Sequence, residues 1–142
     1  MAVPLWAGKY IGLPFLEKGR TADGADCWGL VRIIYLDEFG IYLPSYVESY
    51  KDTSDAAEIG HLFRSQSPRW LKIQPGEEQP GDVIVLRMHG QPMHVGVVVG
   101  DKQFLHVTKH VDGVLEKYRS MVWAGRVLGF YRHKEMDEVL NG

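Results

Sequence analysis

The chain has one cysteine among its 142 residues, so no intramolecular disulfide can form and the fold cannot depend on an oxidising compartment. Charge of neither sign dominates. Sixteen basic and eighteen acidic residues give a formal net charge of -2, and no run of like charge marks a nucleic-acid surface. Long apolar runs are missing as well: no window approaches the roughly 18 consecutive apolar residues that cross a bilayer, so no membrane partner is expected. The N-terminus MAVPLWAGKYIGLPF is apolar, but Pro4, Gly8 and Lys9 interrupt it and no small-residue cleavage pattern follows. It does not read as a signal peptide, and the chain is expected to be made in a cytoplasm with no export signal of its own. There are no repeats, low-complexity stretches or linkers. The length fits a single domain over residues 1–142, large enough to bury a core without a structural metal.

What is present falls into two parts. From Cys27 the apolar residues Cys27, Leu30, Val31 and Ile34 follow the i, i+3, i+4, i+7 spacing of one helical face, which predicts a helix capped by Asp26 or Asp23 and stopped by Gly40. A second helix is predicted from about Asp55 to Arg64, with Thr53 or Ser54 as cap and Ile59, Leu62 and Phe63 inward. Between them, GIYLPSYVESY is too rich in proline and aromatics for a helix. After Pro80 the runs DVIVLRM, HVGVVVG, QFLHVT, VLEKYR and RVLGFYRH predict an antiparallel meander, and the chain is expected to fray from about Lys134. Helices grouped before strands argue for an α+β fold, with the first helix on one face of the sheet.

A free thiol has a pKa of about 8.5, and the start of a helix is a place where it can be lowered. Unpaired N–H groups and the positive end of the helix dipole favour an anion there, and the same groups can bind an oxyanion. Gly24 permits a tight turn before the helix, and Gly29 leaves room beside the sulfur. Position alone equally allows Cys27 to be a small buried hydrophobe.

Histidines bear on that choice. His94 opens HVGVVVG and His106 sits in QFLHVT, with GDK as the turn between the strands. A three-residue loop of Gly100, Asp101 and Lys102 would set Val99 opposite Gln103 and His106 opposite Gly96, so that His94 and His106 become diagonal neighbours on one side. A two-residue loop without a bulge would put them on opposite faces, because the side-chain period is two. In the first geometry His94 can act as general base toward Cys27 while His106 holds its ring. His61, His89, His110 and His133 stand in helix, turn or terminal contexts and read as surface residues. Zinc on Cys27, His89 and His94 is conceivable but lacks any recognised ligand spacing, so no metal or other cofactor is expected.

Four ordered blocks, DCWGLV, PGDVIVL, HVGVVVG and FLHV, resemble the NlpC/P60 family of papain-like cysteine peptidases. Its members carry D-C-x-G-[LF], a P-G-D strand, H-[VI]-G-[IV] and a polar third residue on the next strand. The likeness runs from about Tyr10 to Val107. It implies a papain-like fold of N-terminal helices packed on an antiparallel β-meander, with Cys27 as nucleophile, His94 as base and His106 as orienting residue. Tyr10 is the upstream candidate for the oxyanion site, and Asp26 and Trp28 are candidates for lining the substrate. Trp28 replaces the serine of many secreted members, either as a wall of the cleft or as core.

The implied activity is cleavage of an amide in a peptidoglycan stem peptide, usually between D-glutamate and a diamino acid, through a thioester on Cys27. YIGLPF, GR, DCWGLV and LPSY together look most like the branch found in tailed phages and phage-derived particles. That branch implies other tail proteins as partners and a virion tail or phage-like particle acting at the cell wall as the location. Two other readings remain: a structural tail-tip or assembly protein with weak or no peptidase activity, and an amidase-type toxin or acyltransferase on the same scaffold. GVLEKYRSMVWAG reads either as docking surface or as ordinary strand and turn, the second being favoured.

Overall fold

Asp26 decides where the main helix begins. Its backbone is extended and its carboxylate accepts the Gly29 N–H at 2.8 Å, so helix α1 runs Cys27–Phe39 and starts on the cysteine itself. Gly40, in the left-handed conformation at φ 68°, closes the other end by donating its N–H to Leu36. Both ends lie where the sequence puts them. In this computed structural model, residues 2–21, 23–44, 69–88 and 91–136 are described. Ahead of α1 come a 3-10 helix, Leu5–Tyr10, and a short ribbon of β1 (Arg20–Thr21) against β2 (Gly24–Ala25). The predicted second helix, Asp55 to Arg64, lies outside the described residues.

The strands are β3 (Trp70–Ile73), β4 (Val83–Met88), β5 (Gln91–Gly100), β6 (Gln103–Thr108), β7 (Val111–Lys117) and β8 (Val127–His133). They form one antiparallel sheet in the order β3-β8-β4-β5-β6-β7. The expected meander holds for β4 to β7 only. Strand β8 returns to the free edge of β4, and β3, where no strand was predicted, pairs outside it. Val83, Ile84, Val85 and Leu86 of β4 are all buried, as a central strand covered on both faces requires.

One face of the sheet packs on α1, where Leu30, Val31 and Ile34 meet Val85, Val95, Val97, Leu105 and Val107 in one apolar cluster. The other face holds Ile84, Leu86, Val98, Phe104 and Phe130 beneath Tyr118 and Trp123. Burial of successive strand residues explains why the sequence shows continuous valine runs rather than alternation. Asp82, from the PGD block, is a structural staple: its buried carboxylate takes Nε and a terminal guanidinium nitrogen of Arg132 at 2.8 and 2.9 Å, tying the start of β4 to β8.

One peripheral expectation fails. His133 is buried, not on the surface, because β8 carries it beneath the core, where its ring meets Trp70 edge-on at 5.0 Å. Of the tail expected to fray from about Lys134, residues 134–136 are helical and Met136 is fully buried in the α1 cluster, and the remainder lies outside the described residues.

Candidate active site

Cys27 occupies the first residue of α1 and is almost wholly buried. Backbone groups of Val95 and Trp28 hydrogen-bond the sulfur and favour a thiolate. Burial opposes them and dominates, with the Asp26 carboxylate adding to it, so the thiol is pushed up to about 12. A helix start therefore does not by itself give an ionised nucleophile here.

The two histidines meet through a device the sequence left open. Asp101 and Lys102, at φ 50° and 56°, form a two-residue left-handed turn in which Gln103 faces Gly100, not Val99. A bulge between Val98 and Gly100 then restores the odd count, giving Val98 opposite Phe104 and Val97 opposite Leu105. The three-residue loop is thus replaced by a two-residue turn plus a bulge, with the same register beyond it. His94 and His106 lie on one face, Nε2 to Nδ1 at 2.8 Å. Gly96 makes the approach possible: a Cβ there would lie 2.8 Å from the Leu105 carbonyl oxygen and 3.1 Å from the His106 Cβ.

Strand β7 adds a residue that the sequence analysis did not single out. A second bulge, between His106 and Thr108, sets Phe104 opposite Glu116, and the Glu116 carboxylate reaches His106 Nε2 at 2.5 Å. Trp123, equally unforeseen, covers the pair. Its ring lies nearly parallel to His94 at 6.3 Å and edge-on to His106 at 5.3 Å, while Phe104 stacks on His106 at 4.3 Å. The segment read as ordinary strand and turn therefore supplies two site residues. Counting along β6 and β7 would have found Glu116 only if the bulge had been known, since an unbulged hairpin turns it to the other face.

This aromatic enclosure keeps both imidazoles neutral. Burial lowers His94 to about 3, with the His106 charge adding to it, and burial lowers His106 to about 4. Among the described residues, His94 Nδ1 and Trp123 Nε1 are the buried side-chain atoms without a hydrogen-bond partner. Cys27 packs in the α1 cluster with Val95, and His94 stacks on Trp123. The thiol is linked to the backbone of Val95, the residue after His94, and no hydrogen bond joins the sulfur to either imidazole among the described contacts.

The three remaining candidates have other work. Tyr10 donates its hydroxyl to Glu38 at 2.6 Å, near the far end of α1, and 11 residues of helix put that point about 16 Å along the axis from Cys27. It is not brought to the oxyanion position. Asp26 is fully buried and spends its oxygens on the N–H groups of Gly29 and Lys18, so it caps the helix rather than lining substrate. Trp28 is buried in the α1 cluster and donates its indole N–H to the Pro44 carbonyl at 2.9 Å, which favours packing over a cleft wall. Zinc would need His89, which lies outside the described residues.

The NlpC/P60 family pattern matches residues 12–132. The chain is 26% identical over 132 residues to a gamma-DL-glutamyl hydrolase of Bacillus subtilis, covering 89% of this chain and 27% of that protein. It is 24% identical over 115 residues to the murein DD-endopeptidase MepS/murein LD-carboxypeptidase of Escherichia coli K12, covering 81% and 53%. The chain thus spans between about a quarter and a half of these relatives' own length. An NlpC/P60 family protein from Bacillus cereus shares the fold, with a TM-score of 0.66 at 20% identity over 93% of this chain and 41% of that one.

Proposed function

Because the chain belongs to the NlpC/P60 family, we propose that it is a cysteine endopeptidase acting on peptidoglycan stem peptides, with Cys27 as nucleophile, His94 as base and His106 as orienting residue. The observation that carries this reading is the buried His94–His106 pair, with a second nitrogen of His94 left without a partner next to the strand residue that touches the Cys27 sulfur.

Burial disfavours the thiolate and the imidazolium alike, so the resting site is a neutral thiol beside neutral imidazoles. The proton then moves as the bond forms. Cys27 passes its proton to His94 while the sulfur attacks the scissile carbonyl, and the developing oxyanion takes hydrogen bonds from the start of α1. Collapse breaks the C–N bond, with the His94 proton going to the departing amine, and leaves a thioester. Water, giving up a proton to His94, hydrolyses it to a carboxylate and the free thiol.

We assign the scissile bond as D-glutamate to a diamino acid such as diaminopimelate. The similarity to a protein named gamma-DL-glutamyl hydrolase supports a glutamyl bond, while the similarity to one named DD-endopeptidase offers the alternative. YIGLPF, DCWGLV and LPSY support a place in a phage tail or phage-like particle acting at the cell wall, with other tail proteins as partners. The test is mass spectrometry of purified muropeptides incubated with the chain and with Cys27→Ala. Release of the diamino-acid fragment by the first alone is the expected result. Intact muropeptides with both would instead leave a structural tail component, and transfer products an acyltransferase. Immunodetection in purified particles tests the location separately.

A further inference from the structure

We infer that Glu116 is a positioning residue: its hydrogen bond to His106 sets the tautomers of both imidazoles and leaves Nδ1 of His94 as the bare nitrogen that accepts a proton. The inference rests on the peptidase reading only in assigning that proton to Cys27.

Two arrangements of protons satisfy the hydrogen bond between the rings. In one, His94 Nε2 donates to His106 Nδ1, and His94 Nδ1 is a free lone pair. In the other, His106 Nδ1 donates to His94 Nε2, and the remaining proton of His94 sits on Nδ1, where it blocks any role as base. The 2.8 Å contact is the same in both, so the pair alone cannot choose.

The next link breaks the tie. A carboxylate oxygen accepts and does not donate, so the 2.5 Å contact from Glu116 places a proton on His106 Nε2. A neutral His106 then has only a lone pair on Nδ1, and His94 Nε2 must supply the hydrogen. What is left on His94 is an unprotonated Nδ1, the buried ring nitrogen that has no partner. The geometry suits such a relay: His106 is fully buried while the Glu116 side chain is 38% exposed at the edge strand, so the carboxylate stays hydrated while it fixes a ring inside the protein.

The test uses the full chain labelled with 15N, reading the tautomer of each imidazole from long-range 1H–15N correlations in wild type, Glu116→Asp, Glu116→Gln and Glu116→Leu. The expected wild-type result is a proton on Nε2 of both His94 and His106. In Glu116→Leu the His94 signals shift toward the Nδ1–H form, and kcat on muropeptides falls about tenfold or more with KM little changed, a share of the roughly 10²- to 10⁴-fold that a positioned base contributes. Glu116→Asp, which keeps an acceptor, restores part of both. Because Glu116 is half-exposed on an edge strand, the Asp and Gln variants also guard against a folding defect. Wild-type tautomers in Glu116→Leu, or a proton on Nδ1 of wild-type His94, would overturn the inference. If the tautomers follow Glu116 while wild type cleaves no muropeptide, the positioning role stands and the peptidase reading fails.

Discussion

His94 and His106 are twelve residues apart in sequence and 2.8 Å apart between Nε2 and Nδ1, and that contact depends on a bulge at the far end of their hairpin. A strand presents alternate residues to each face, so one extra residue between Val98 and Gly100 is what brings both rings to the same side. The function of the pair is therefore written partly in residues that never touch it.

Gly96 is the first place to test that dependence. Its Cβ would lie 2.8 Å from the Leu105 carbonyl oxygen, 2.9 Å from Phe104 Cδ2 and 3.1 Å from His106 Cβ, contacts that cannot all be kept. Gly96→Ala is expected to lose stability by about 1–3 kcal/mol, as overpacked cores do, and to lose muropeptide turnover more than stability alone explains. Denaturant melts and turnover of the same preparation check this; unchanged turnover would show that the ring spacing is not critical.

Roles within the pair predict unequal losses. On the proposed roles, His94→Ala removes the general base, whereas His106→Gln retains a hydrogen-bonding side chain beside His94. The second variant is expected to keep measurable turnover and the first to lose it, with both folded by circular dichroism. Equal and complete loss in both would mean that the assignment of base and orienting residue is wrong.

Reactivity of the thiol follows from its burial. With Cys27 pushed up to about 12, alkylation by iodoacetamide is expected to keep rising through pH 9, without the plateau at neutral pH that a preformed thiolate–imidazolium pair gives. A rate profile with an inflection near pH 5 would refute the neutral resting site.

Sensitivity to acid follows from the same burial, acting on the two imidazoles. Their folded pKa values lie below the unfolded value of about 6.5, at about 3 for His94 and about 4 for His106, so the unfolded chain binds protons that the folded one refuses. The contribution of these groups is complete above about pH 6.5 and is lost progressively as the pH falls toward 4 and 3. Urea midpoints measured from pH 8 to pH 4 are expected to decline below 6.5, and the decline should shrink in a His94→Gln, His106→Gln double variant. An equal decline in that variant would place the acid sensitivity elsewhere.

Trp28 is predicted to matter for folding. Trp28→Ser removes a buried indole and the hydrogen bond to Pro44, and is expected to cost about 3–5 kcal/mol, the range for truncated core aromatics. Trp28→Phe, which keeps most of the packing, should lose about 1 kcal/mol for the missing hydrogen bond. A stable Trp28→Ser chain with altered KM would instead restore Trp28 to the wall of the cleft.

Much of this protein was legible in its sequence because the relevant physics is local. The i, i+3, i+4, i+7 pattern from Cys27, a capping aspartate and a stopping glycine set both ends of α1, and the apolar runs after Pro80 mark five of the sheet's strands. Cysteine at the helix start and two histidines flanking one turn were visible for the same reason. Tertiary structure decided the rest. Which edge β8 would join, and that β3 would lie beyond it, depends on partners distant in the chain, about which periodicity says nothing. Side-chain facing was equally non-local: single-residue bulges in the β5–β6 and β6–β7 hairpins turn His94, His106 and Glu116 toward one another, and no spacing rule announces a bulge. Burial decided the chemistry last, since the same enclosure that aligns the imidazoles under Trp123 also keeps them and the Cys27 thiol uncharged, and the depth of a residue is a property of the whole fold.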